Sequence, residues 1–293
     1  MRTKHSGSRL LWTYAIASLA LDSLGATNAF AGGAPIYVNS YVIEGDTQNW
    51  AFSAASADEW RQLHLALCQT GATRILGTGD IVNYRDSAAE WDRADAVYDV
   101  TDACGLPATL PAGNHDIQVA GRSDDFQSYD AFMAKRPLHR PIARSATGHS
   151  WVDRLEPGYI VAVLPFAAAA AEVAWLEGWL ASHTTERALL IQHDAVHSTT
   201  GARLGPALTL TNRFGARIVG VIGGHYLPPD RVGGWSKGGF SVFSNFQLGA
   251  LLGNRPAGLV TMLDHYLATD SWCIRTINYL TGEMNRFEAP HCL

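Results

Sequence analysis

The sequence predicts an α/β fold, and three observations lead there. From Tyr41 to Ile222, apolar runs of strand length alternate with amphipathic runs of helical length. Asp46, Asp80 and Asn114 each follow a strand-like run, and Asp80 is 34 residues from both of the others. That interval is close to one βαβ unit of ~30 residues. Right-handed crossovers would then set the three side by side on one sheet edge. Beyond Ile222 the chain is strand-rich, so the class is mixed α/β with strands concentrated late in the chain.

Taken in order, Tyr41–Glu44 reads as the first strand. Asp58–Gln69 follows as a helix, with Trp60, Leu63 and Leu67 on one face and Gly71 as its stop. Arg74–Leu76 is the second strand and Ala88–Cys104 the second helix, its face formed by Trp91, Ala94 and Tyr98. Ala108–Leu110 is the third strand. Residues 117–148 are polar and carry Pro137 and Pro141, the pattern of a helix plus an insertion or lid. Trp151–Leu155 and Tyr159–Leu164 form a hairpin turning at Pro157-Gly158. Glu172–Ser182 is a helix, and Ala188–Ile191 and Ile218–Ile222 are strands. Phe240–Phe243, Leu259–Leu263 and Trp272–Leu280 close the pattern, with Gly233–Gly239 as a hairpin loop.

Composition narrows the class. The 293 residues are 47% hydrophobic and 17% charged, which supports a large core. The formal charge is −5, with no basic run after the first nine residues, so nucleic acid is not an expected partner. Arg2, Lys4 and Arg9 precede an apolar stretch, and Ala29-Phe30-Ala31 supplies a small-x-small site. This is the layout of a secretory signal peptide over residues 1–31, leaving 32–293 as one mature, exported domain. An uncleaved membrane anchor is the alternative; Asp22 interrupts its apolar run, and no later stretch is long enough to span a bilayer. Cys68, Cys104, Cys273 and Cys292 allow two disulfides in three pairings. Their positions favour Cys68–Cys104 and Cys273–Cys292.

Five short segments carry the chemistry: Gly45-Asp46-Thr47-Gln48, Gly79-Asp80-Ile81-Val82-Asn83, Gly113-Asn114-His115-Asp116, Gln192-His193-Asp194 and Gly224-His225-Tyr226-Leu227. Each places oxygen or imidazole donors at a strand end, where α/β sheets build their sites. Such donors suit Mn, Fe or Zn. Alone, each segment has a plainer reading. Asp after a strand is a common helix N-cap, Gly-Asn is a common turn, and a single His is more often a hydrogen-bonded core residue. Their joint order and spacing point to a site.

That order resembles the calcineurin-like metallophosphoesterase superfamily, with its D-x-H, GD-x-x-D/N, GNH-D/E, lone His and GH-x-H segments. The resemblance implies a four-layer α/β/β/α sandwich of two mixed sheets flanked by helices. It implies Asp80 as the carboxylate shared by two metals, with Asn114, His193 and His225 completing one strong site. Asp46 and Gln48 would serve a weaker second site. Gln48 stands where a His is usual, and Leu227 stands where a second His belongs and cannot ligate. The resemblance further implies His115 as proton donor to the leaving oxygen, with Asp116 orienting its ring. The expected reaction is in-line hydrolysis of a small phosphomonoester or phosphodiester by a metal-bound hydroxide. The alternative that Leu227 keeps open is a metal-depleted member acting as a binding protein. His197 reads as a neighbour of the site or a surface residue, while His139, His149 and His265 belong to no motif. Trp50, Tyr84 and Trp235 follow motif segments and could line a pocket. Asn245-Phe246-Gln247 resembles a late element of Asp-Thr-Gln members and is read as structural.

Overall fold

A computed structural model describes residues 38–118, 124–226, 233–236, 239–244, 259–278 and 291–292. The leader, Leu227, Asn245-Phe246-Gln247 and the tail of the last expected strand lie outside the described residues. Two mixed sheets are present. The first runs β13 (His291–Cys292), β12 (Ser271–Asn278), β11 (Leu259–Tyr266), β1 (Val38–Glu44), β2 (Arg74–Gly77), β3 (Ala108–Thr109). The second runs β4 (Ala143–Arg144), β5 (Trp151–Glu156), β6 (Tyr159–Val163), β7 (Arg187–Ile191), β8 (Ile218–Gly223), β10 (Phe240–Phe243), β9 (Gly233–Ser236). Strands β1, β2 and β3 are mutually parallel, as are β6, β7, β8 and β10. The regular spacing of Asp46, Asp80 and Asn114 therefore corresponds to consecutive parallel strands ending at one edge.

Period-two alternation sorts each strand between two layers. On β7, Leu189 and Ile191 join the main core, while Ala188 and Leu190 face a second cluster. That second cluster includes Leu176 and Leu180 of α6 (Ala170–Ser182) and Ala207 and Leu210 of α7 (Gly205–Phe214). On β1, Tyr41 reaches across to Glu156 of the second sheet with an O–H···O bond of 2.7 Å. Glu44, at the end of the same strand, instead meets α2 (Ala54–Leu67) and α3 (Ala88–Cys104). It accepts from Trp60 Nε1 at 2.6 Å and Tyr98 Oη at 2.9 Å, and lies 3.0 Å from His64 Nε2. The result is two sheets facing one another with helices outside, the layer order the resemblance implied.

Burial pushes the Glu44 carboxyl up, but the His64 ring and the Trp60 and Tyr98 donors outweigh it and hold the group below its usual value of 4.5. A depressed carboxylate stabilises the fold above its unfolded value, and that share disappears as pH falls through the folded value. Glu44→Gln should therefore flatten the loss of Tm below about pH 4.5. Parallel Tm-against-pH curves for the two proteins would contradict this.

Several expected boundaries move. The helix expected over Asp58–Gln69 is α2, which begins at Ala54, where Ser53 and Ser56 form a reciprocal cap, and ends at Leu67. The expected Gly233–Gly239 loop contributes β9, which pairs antiparallel with β10. Residues 114–144 hold α4 (Asn114–Ile117), α5 (Gln127–Met133) and β4, with 119–123 undescribed. The short α1 (Gln48–Ala51) and helix α7 were not expected; Pro206 near the start of α7 was the legible signal. The cysteines pair as Cys68–Cys104 and Cys273–Cys292. No helix among the described residues is long and apolar enough to cross a membrane.

Candidate metal centre

All five motif segments leave the same edge of the two sheets, and three turn sharply as they do so. Asp46, Asp80 and His225 adopt φ of 46°, 56° and 73°, the left-handed region that L-residues avoid. Such strain, about 1–2 kcal/mol per residue, persists where surrounding contacts over-determine it. The neighbouring glycines show how close the segments come. A Cβ on Gly113 would fall on the backbone nitrogen and carboxylate of Asp80, and one on Gly224 on the carboxylate of Asp46.

The six residues form an unbroken series of polar contacts, the last of them through a backbone N–H. Gln48 Nε2 donates to Asp80 Oδ2 at 3.1 Å, and Asp80 Oδ2 lies 3.1 Å from His193 Nε2. His193 Nε2 is 3.1 Å from Asn114 Oδ1, which is 2.8 Å from His225 Nδ1. The backbone N–H of His225 donates to Asp46 Oδ2 at 3.0 Å. Ligand atoms of Asp80, His193 and His225 all lie within 4.8 Å of one another. The six residues singled out in the sequence are thus brought together.

Backbone carbonyls set the ring orientations. His193 Nδ1 donates to Thr78 O at 2.8 Å, which leaves Nε2 facing Asp80 and Asn114. Thr78 also donates from Oγ1 to Asp46 Oδ1 at 3.1 Å. Phe166 packs against the His193 and His225 rings, with centroids 5.9 and 5.2 Å away. Thr78 and Phe166 were not singled out in the sequence; Thr78 stands immediately before Gly79-Asp80, while Phe166 has no local signal.

One expectation is corrected. Asp116 does not orient the His115 ring. It is fully buried and accepts three backbone N–H groups, from Ile81 (2.8 Å), Val82 (3.1 Å) and Gly113 (2.8 Å). At the third position of the α4 turn its side chain reaches back to the cap, tying the Asp80 and Asn114 loops together. The His115 ring instead donates from Nδ1 to the carbonyl of Asn83 at 2.8 Å, and its own backbone N–H donates to Asp80 Oδ1 at 2.9 Å.

The cluster is electrostatically short of positive charge. Burial, with Asp80 nearby, pushes Asp46 and Asp116 up to about 7, against opposing pulls from His193 and backbone donors. Burial pushes His193 down, yet Asp80 and Asp46 overrule it and raise the ring to about 10. Burial pushes Asp80 up, and His193 together with His115 pulls it below its usual range. His225 is lowered by burial and by the His193 charge. Among the described residues no Lys or Arg forms an ion pair with Asp46 or Asp80. The amide oxygen of Gln48 is buried without a hydrogen-bond partner. Two carboxylates, two imidazoles and two carboxamides brought together with no Lys or Arg paired to the carboxylates among the described residues make a donor set that fits divalent metal.

Of the other histidines weighed in the sequence, His197 borders the cluster through Tyr226, which packs against His225, and the rest lie away from it. His197 bonds Thr199 and stacks on Tyr226, His149 stacks on Phe126, His139 packs on Trp151, and His265 stacks on Trp272. Trp50 is buried in the core, whereas Tyr84 is 61% exposed.

Solved structures share this architecture. A dimetal phosphatase from Danio rerio aligns over 87% of this chain and 98% of its own, with a TM-score of 0.58 and 16% identity. A purple acid phosphatase from yellow lupin seeds aligns over 85% of this chain and 53% of its own, at TM-score 0.60 and 12% identity. GAP50, the anchor in the inner membrane complex of Plasmodium, aligns over 87% of this chain and 88% of its own, at TM-score 0.55 and 12% identity. At these identities the likeness concerns the fold, which is that of the calcineurin-like phosphoesterases. No family model matches the sequence. Among curated proteins, the uncharacterized protein YvnB of Bacillus subtilis is 26% identical over 166 residues. The aligned region is 52% of this chain and 12% of that protein's length.

Proposed function

We propose that this chain is an exported, metal-dependent phosphoesterase of the calcineurin-like superfamily, in an Asp-x-Gln form. The observation that carries the reading is the convergence of Asp80, Asn114, His193 and His225 on one point, with Asp46 and Gln48 alongside and no Lys or Arg paired with Asp46 or Asp80 among the described residues. Asp80, Asn114, His193 and His225 would hold one ion, and Asp46, Asp80 and Gln48 another. Divalent ions held there supply a nucleophile at neutral pH and neutralise the phosphoryl oxygens.

The chain's own groups do the rest. Thr78 O takes the Nδ1 hydrogen of His193, so Nε2 is the atom that would give up its proton and offer its lone pair to an ion. Asn83 O takes the Nδ1 hydrogen of His115, so the imidazolium form of that ring carries its transferable proton on Nε2, for the departing oxygen. Asp116 locks the two loops that carry Asp80 and His115. The leader and two disulfides support export to an oxidising compartment.

The test is metal per chain after purification, together with hydrolysis of 4-nitrophenyl phosphate in added Mn. Bound metal with Mn-dependent release of nitrophenol is the expected result. A metal-free chain that cleaves no ester under saturating Mn would leave the second reading, a binding protein on the same fold. Leu227 is the residue that favours that reading, since it removes one imidazole from the GH-x-H position.

A further inference from the structure

We propose that Glu90 positions His115 through the peptide that joins Asn83 to Tyr84. Glu90 lies in the first turn of α3 and is 3% exposed. Its Oε2 accepts the N–H groups of Asn83 at 2.7 Å and Tyr84 at 3.0 Å. The Tyr84 N–H and the Asn83 carbonyl belong to one planar peptide group. That carbonyl accepts from His115 Nδ1 at 2.8 Å. The sequence of contacts is therefore carboxylate, amide N–H, amide C=O, imidazole Nδ1–H. Serial hydrogen bonds polarise one another in a low-dielectric interior. The Glu90 charge draws on the amide hydrogen and makes the carbonyl oxygen a stronger acceptor toward the ring. It does at one remove what a carboxylate in direct contact with the ring would do.

The charge is not needed merely to hold the loop. A neutral carboxamide oxygen could accept the same two N–H groups, and Trp91 Nε1 already pins the segment at Arg85 O, 2.7 Å away. Among the described residues no Lys or Arg forms an ion pair with Glu90, and the partners of its Oε2 are the two N–H groups of this segment. Glu90 is a positioning residue: it acts on His115 and touches no reacting atom.

The inference rests on the proposed role of His115 as proton donor. The experiment compares wild type, Glu90→Gln and Glu90→Ala with Mn on two esters. One is 4-nitrophenyl phosphate, whose leaving group departs without a proton; the other is glycerol 2-phosphate, whose alkoxide needs one. On the alkyl ester kcat should fall about tenfold in Glu90→Gln and further in Glu90→Ala, with KM unchanged. On the nitrophenyl ester kcat should stay within about twofold of wild type. A readout independent of turnover is the ring Nδ1–H resonance of His115 in ¹⁵N–¹H spectra, assigned by its loss in His115→Gln. It should move upfield in Glu90→Gln. Equal losses on both esters, or an unmoved resonance, would overturn the positioning role while leaving the phosphoesterase reading intact. A wild-type protein that cleaves neither ester would overturn both. If Glu90→Ala does not fold, Glu90→Gln decides, because it retains an acceptor for both N–H groups.

Discussion

Asp80→Asn is expected to lower kcat/KM by about a thousandfold or more and to reduce bound metal together with it. The substitution keeps the side-chain volume and removes only the charge. Asp80 contacts residues assigned to both proposed ion positions. Oδ2 meets Gln48 and His193, and Oδ1 receives the backbone N–H of His115. Losing the carboxylate therefore weakens both proposed ion positions and the loop that carries the acid. Metal per chain by elemental analysis, steady-state rates with Mn and a thermal melt measured together check this. Activity within about tenfold of wild type in a folded, metal-loaded variant would remove Asp80 from the centre of the mechanism.

His115→Gln should separate proton delivery from metal binding. The ring contacts Asn83 O, and none of the six proposed ligand side chains bonds to it. Metal content should stay near wild type while kcat on an alkyl phosphoester falls about a hundredfold, the usual scale of a general acid. The loss should be smaller on a nitrophenyl ester, whose leaving group needs no proton. Equal metal loss in His115→Gln and Asp80→Asn would show that the ring serves the metal site and not the leaving group.

The differing legibility of these residues has a physical cause. Asp46, Asp80, Asn114, His193 and His225 were readable because each follows a strand, and all but His193 sit in a short segment whose glycine admits close approach. Local sequence records such requirements, since a Cβ at Gly113 or Gly224 would meet a carboxylate. Gln48 was readable from its place two residues after Asp46. The partners that orient the rings were not readable, because they are main-chain carbonyls. Thr78 O and Asn83 O are available whatever side chain stands there. Asp116 was misassigned for a related reason: adjacency in sequence to His115 says nothing about which way each side chain turns.

The amino-acid sequence by itself determined the alternation of strands and helices, the strand-end placement of the polar segments, and the types of donor atom that the site offers. Period-two and period-3.6 burial and the sterics of glycine are local, so they are written in neighbouring residues. Only the tertiary structure decided that six residues separated by up to 179 positions are linked in one series. It also decided that Asp116 staples two loops and that Glu90 reaches His115 through a peptide. Those outcomes depend on how loops from different strands approach one another, a through-space arrangement that no single stretch of chain encodes.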